Sequence, residues 1–100
     1  MTKIKICGIK TLDDALAAIE AGADWAGIAL VEEAIEIREA GIDIPILLIG
    51  SWFPEAIPYF YKYNIVPTIH SPHSADCLFQ YAKTHHSPIK VHASNVRILG

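Results

Sequence analysis

Apolar and polar positions alternate at the start of the chain and then give way to a helical period. Ile4 and Ile6 alternate with Lys3 and Lys5 before a turn at Gly8, the period of two of a half-solvated strand. From Thr11 the period lengthens. Leu12, Ala15, Leu16 and Ile19 fall on one helical face, with Thr11 as N-cap and Asp14 in the capping-box position. Gly22 stands where a left-handed residue ends such a helix. Residues 25–30 are continuously apolar, as in a parallel strand covered on both faces. Residues 32–40 read as a second helix, with Ala34, Ile35 and Ile37 inward and Gly41 as terminator. A second continuous apolar strand at 45–49 ends at Gly50-Ser51.

A third helix lies within 54–63, but its start is open. Beginning at Pro54 leaves Pro58 one turn in, at the cost of a hydrogen bond, and beginning at Pro58 leaves barely two turns. A short strand at 66–70 precedes Ser71-Pro72, a serine cap followed by proline at the first helical position, and this fourth helix is expected to run to about Thr84. A fifth strand is expected at 89–93. E-A-G-A-D-W at 20–25 and E-A-G-I-D-I at 39–44 echo one another as helix-to-strand joints. The expectation is therefore a single α/β domain over residues 1–100, with about five parallel strands and four helices in strict alternation and right-handed crossovers. Two architectures fit: part of an eightfold TIM barrel, or a flavodoxin-like doubly wound sheet.

Composition narrows the partners. Apolar residues make up 52% and charged residues 19% of the chain, rich for so small a domain, which points to a buried sheet or an exposed apolar edge. An open parallel sheet has two unpaired edges, so self-association through them is expected. The net charge of −3 comes without a basic block, so no nucleic-acid partner is expected. No apolar run reaches the length of a membrane span and no charged leader is evident, so a cytoplasmic protein without membrane contact is expected. Cys7 and Cys77 are expected as free thiols.

Cys7 ends the first strand, at the end where barrel enzymes carry their chemistry. A working thiol base needs a neighbouring positive charge and an acid partner. Lys10 and the helix start at Thr11 offer the first, nothing identifiable offers the second, and a semi-buried structural cysteine is the expectation. Lys3 and Lys5 read as solvated positions of an edge strand. His70, His73, His85, His86 and His92 include no H-x-x-x-H pair, and no metal is expected. Trp52, Phe53, Tyr59, Phe60, Tyr61 and Tyr63 read as packing of the third helix or a self-association patch, and Glu32, Glu33, Glu36 and Arg38 as a solvated helix face.

Two families are resembled. K-I-C-G-I, continued by K-T-L-D-D-A-L-A-A-I-E-A-G-A-D-W-A-G over residues 3–27, resembles the first βα unit of phosphoribosylanthranilate isomerase. That resemblance implies a general-base role for Cys7 in an Amadori rearrangement. From residue 20 to 92 the sequence resembles the N-terminal barrel domain of alanine racemase. The residues that carry this likeness are E-A-G-A-D-W-A-G-I-A-L-V-E-E-A-I-E-I-R-E-A-G-I-D-I-P-I-L-L-I-G, P-E-A-I-P, Y-N-I-V-P-T-I-H-S and P-I-K-V-H. This resemblance implies a pyridoxal-phosphate enzyme, with Lys3 at the place of the cofactor lysine in an ungapped count and Arg97 one place from the family's arginine. The family's A-[DN]-A-Y-G-H-G after that lysine is replaced by I-K-I-C-G-I-K. The reading is a chimera-like chain of two barrel isomerases, an isomerase-like unit at 1–24 and racemase-like units at 20–100, without efficient catalysis and with no bound cofactor expected. Residual isomerase activity, by pyridoxal phosphate or through Cys7, and a small self-assembling module are the alternatives.

Overall fold

The computed structural model describes residues 4–93. The first strand, β1, is Lys5–Ile9, and α1 is Leu12–Glu20. They are followed by β2 Trp25–Ile28, α2 Val31–Glu39 and β3 Ile46–Leu48. A 3-10 turn at Pro54–Ala56 leads into α3 Ile57–Lys62, and β4 Ile65–Ile69, α4 Pro72–His85 and β5 His92–Ala93 complete the order. The two readings of the third helix are thus both partly realised. Pro54 opens the 3-10 turn, and Pro58 falls in the first turn of α3, where no intrahelical N–H bond is lost.

Both expected caps form. The Asp14 N–H donates to Thr11 Oγ1 (3.1 Å), and Asp14 Oδ2 accepts from the Thr11 and Lys10 N–H groups, each at 3.2 Å. At α4, Ser74 takes the place of the usual acid: its Oγ accepts from the N–H of Ser71 (3.1 Å) and of His70 (3.2 Å). Ser71 Oγ in turn accepts from the Ser74 N–H at 3.2 Å.

All strand pairs are parallel and the order is β1-β2-β3-β4-β5. This decides between the two architectures. A flavodoxin-like sheet places its first strand inside the sheet, in the order 2-1-3-4-5, whereas sequential order with one-handed crossovers puts every helix on one face, as in a barrel segment. The fifth strand is shorter than expected. Only His92 and Ala93 pair, with Thr68 and Ile69, while Ile89 turns against the core instead.

The core lies between the sheet and its helices. Ile28, Ile46, Leu48 and Ile65 on the strands meet Ala15, Ala18, Ala34, Ile37, Phe60, Ala75 and Leu78 on the helices, all almost fully buried. The face expected for α1 divides. Ala15 and Ala18 lie on the sheet, while Leu12, Leu16 and Ile19 remain 40–48% exposed. At 100° per residue these three form a stripe turned about 100° from the alanines, so one apolar face in the pattern is two in space.

Candidate site at the carboxyl ends of the strands

Register places Cys7, Gly27, Leu47 and Val66 side by side across four strands. Their neighbours Ile6, Ala26, Ile46 and Ile65 form the adjacent row, which belongs to the helix-packed core. The Cys7 row therefore faces away from the helices, the surface that a closed barrel turns inward.

Cys7 is exposed rather than half-buried, because β1 is an edge strand among the described residues and its register partner Gly27 has no side chain to cover the thiol. A methyl carbon built on Gly27 would lie 2.8 Å from Cys7 Sγ and 3.1 Å from its Cα. Just beyond, Gly8 adopts φ +81° and the pairing skips a residue between Cys7 and Ile9. The skip returns Ile9 to the core face beside Ile28. The backbone N–H groups of Lys10 and Thr11, just past β1, donate to Asp14. These bonds, led by that from Lys10, hold the Asp14 carboxyl below its ordinary value.

The ends of β3 and β4 are tied to one another. His70 Nε2 lies 3.2 Å from the Gly50 carbonyl oxygen, and Trp52 Nε1–H donates to the Thr68 carbonyl at 2.9 Å. Trp52 also meets Phe60 edge-to-face at 5.2 Å between centroids. A Cβ on Gly50 would fall on the Ala29 carbonyl oxygen, so only glycine fits where β2 and β3 end together. Thr68 is 4% exposed and its Oγ1 is buried without a hydrogen-bond partner among the described residues. That orphaned hydroxyl carried no signal in the sequence.

Arg38 corrects the expectation of a solvated face. Its guanidinium donates to four backbone carbonyls: Tyr63 (2.7 Å), Ile42 (2.9 Å), Ile44 (2.7 Å) and Asn64 (3.2 Å). It gathers the chain entering β3 and β4 at the amino ends of the strands, where barrel residues serve stability. Burial lowers its pKa, partly offset by Asp43. The aromatic group divides as well. Phe60 is core, Tyr61 stacks on Tyr81 and donates to the Ser87 carbonyl (2.7 Å), and Phe53 is 78% exposed.

Lys5 is exposed and, with Trp25, Lys90 and His92, lines a cleft of about 430 Å³ on the helix-free face. The two positions assigned to cofactor binding, Lys3 and Arg97, lie outside the described residues. Among the described residues no three His, Cys, Asp or Glu side chains are grouped to hold a metal, and no helix is long and apolar enough to cross a membrane. One pair departs from the H-x-x-x-H pattern only in its second ligand. His73 and Cys77 have the same i, i+4 spacing with a thiol as second member, and Nε2 lies 3.7 Å from Sγ.

The family model "Alanine racemase, N-terminal domain" matches residues 1–94. The chain belongs to this family. Among its relatives, the alanine racemase of Halothermothrix orenii is 34% identical over 74 residues, covering 74% of this chain and 20% of the relative. That of Synechocystis is 49% identical over 59 residues, covering 58% and 16%. The solved structure of the Clostridium difficile alanine racemase in complex with cycloserine superimposes with a TM-score of 0.75 at 30% identity, over 93% of this chain and 27% of that one. The racemase-family chain thus spans about a fifth of the length of these curated relatives. The family match runs from residue 1 and so includes the first βα unit.

The pyridoxal phosphate implied by the racemase resemblance does not fit the described residues. A phosphate needs free N–H groups at a helix start. The capping boxes take up the N–H groups of Thr11 and Asp14 at α1 and of Ser71 and Ser74 at α4, Pro72 has none to offer, and the first turn of α2 carries Glu32 and Glu33. Within β1, Cys7 offers a thiol and Gly8 no side chain, and Lys3, which the resemblance sets at the cofactor lysine, lies outside the described residues.

Proposed function

We propose that this chain is a racemase-type barrel segment that supplies scaffold and does not itself racemise amino acids. The observation that carries this reading is the end of β1. There Cys7 lies over Gly27, and the neighbouring N–H groups close onto Asp14 rather than onto a ligand. Among the described residues at that place, Asp14 takes up the Lys10 and Thr11 N–H groups and Cys7 presents a thiol rather than an amine. The sequence at 3–27 supports the further reading that the first βα unit is of isomerase type joined to racemase units. The test is α-proton exchange of L-alanine in deuterated buffer with added pyridoxal phosphate. Exchange no faster than with free cofactor is expected, and a protein-dependent rate abolished by denaturation would overturn the reading.

A second reading, assembly through a second copy, is favoured by the apolar surface near the open ends of the sheet. Ile4 at the β1 edge is 48% exposed, and Phe79 of α4 is 68% exposed beside a groove that also includes Ile89 and Val91. Sedimentation should show a defined oligomer that Phe79→Glu dissociates, and a monomer at all concentrations would contradict it.

A further inference from the structure

We propose that His73 and Cys77 form a two-ligand site for a thiophilic divalent cation of the zinc class on α4. The two side chains leave the helix one turn apart on the same side, and His73 is exposed while Cys77 is half-buried. Their ligating atoms, Nε2 and Sγ, are 3.7 Å apart. A tetrahedral cation with a metal–sulfur bond of about 2.3 Å and a metal–nitrogen bond of about 2.05 Å subtends about 3.6 Å between those atoms. The pair is therefore already at the bite of one metal ion, and binding requires little rearrangement of either side chain.

The helix holds that bite. Ser71 and Ser74 close its first turn around His73, and Ala75 and Leu78 seat the adjoining residues on the sheet. The imidazole would bind through Nε2 in its neutral form with the proton on Nδ1. The thiol would bind as thiolate, its proton released to solvent as the metal–sulfur bond forms. One imidazole and one thiolate favour zinc-class ions over hard cations such as magnesium. Water or a second protein molecule would complete the coordination sphere.

Cobalt(II), added to the full reduced chain, is the probe. A thiolate-to-cobalt absorption band is expected in the unaltered protein and in Cys7→Ser. It should be lost in Cys77→Ser, and His73→Ala should weaken the affinity by about tenfold or more. Zinc should also slow alkylation of Cys77 but not of Cys7, read by peptide mass spectrometry on the unaltered protein, which requires no variant to fold. A band that follows Cys7, an affinity unchanged in His73→Ala, or alkylation of Cys77 indifferent to zinc would each overturn the site.

Discussion

Cys7 and Gly27 are register partners on neighbouring strands, and a methyl carbon built on Gly27 would lie 2.8 Å from the Cys7 sulfur. The pairing joins the only strand thiol among the described residues to the only side-chain-free position in its row. Gly27→Ala is accordingly expected to destabilise the fold by about 1–3 kcal/mol through overpacking. Cys7→Ala should relieve part of that cost, because the sulfur is removed while the Cys7 backbone, at 3.1 Å, still crowds the new carbon. A double-mutant cycle in urea measures the coupling, and strictly additive effects would show that the two residues do not share the space.

Arg38 gives the next expectation. Arg38→Lys keeps the charge but cannot reach four carbonyls on two loops with one ammonium group. A loss of about 2–4 kcal/mol is expected, seen as a lower urea midpoint at unchanged slope. A midpoint equal to that of the unaltered chain would return Arg38 to the solvated face its sequence neighbours suggest.

Thr68 should behave in the opposite sense. Its hydroxyl is buried and unpaired, so Thr68→Val removes an unsatisfied group with little change of shape. A gain of about 1 kcal/mol is expected. A loss of that size would mean that the hydroxyl has a partner in solution.

Asp14 ties stability to acid pH. Its folded pKa lies below the ordinary 3.8, because the carboxylate accepts the Lys10 and Thr11 N–H groups. A depressed carboxyl contributes its full stabilisation above the unfolded value and loses it as pH falls through the folded one. The contribution should therefore be complete above about pH 4 and fade below it, where the native carboxylate finally takes up its proton. Asp14→Asn should flatten the acid limb of the stability curve measured by denaturant titration, and an unchanged limb would refute the linkage.

Much of this architecture was legible because local signals agreed with the global fold. Thr11 with Asp14 and Ser71 with Pro72 marked helix starts that form as read, and Gly22 and Gly41 both take positive φ. Strict alternation of strand and helix fixed the class, but the choice between barrel segment and flavodoxin-like sheet depended on which strands pair, a long-range relation that no local pattern encodes. Side-chain environment was harder still. Arg38 sits among glutamates in sequence, and only the fold brings the carbonyls of Ile44, Tyr63 and Asn64 around it. Leu12, Leu16 and Ile19 share a helical period with Ala15, yet the sheet accepts only the smaller residues. Cys7 was expected at the end of the first strand and half-buried; it is the third of five residues in β1 and exposed, because β1 is an edge. The spacing of His73 and Cys77 was present in the text as H-S-A-D-C and becomes a pair only when both atoms are seen on one side of α4.

The central claim, that a racemase-family segment here lacks the means to hold the family's cofactor, is tested most directly by trapping. The chain is incubated with pyridoxal phosphate, reduced with borohydride, digested, and each lysine is scored by mass spectrometry. Sparse labelling spread over the exposed lysines, the same in native and denatured protein, is the expected result. Stoichiometric attachment to one lysine in the native protein alone, Lys3 above all, would contradict it.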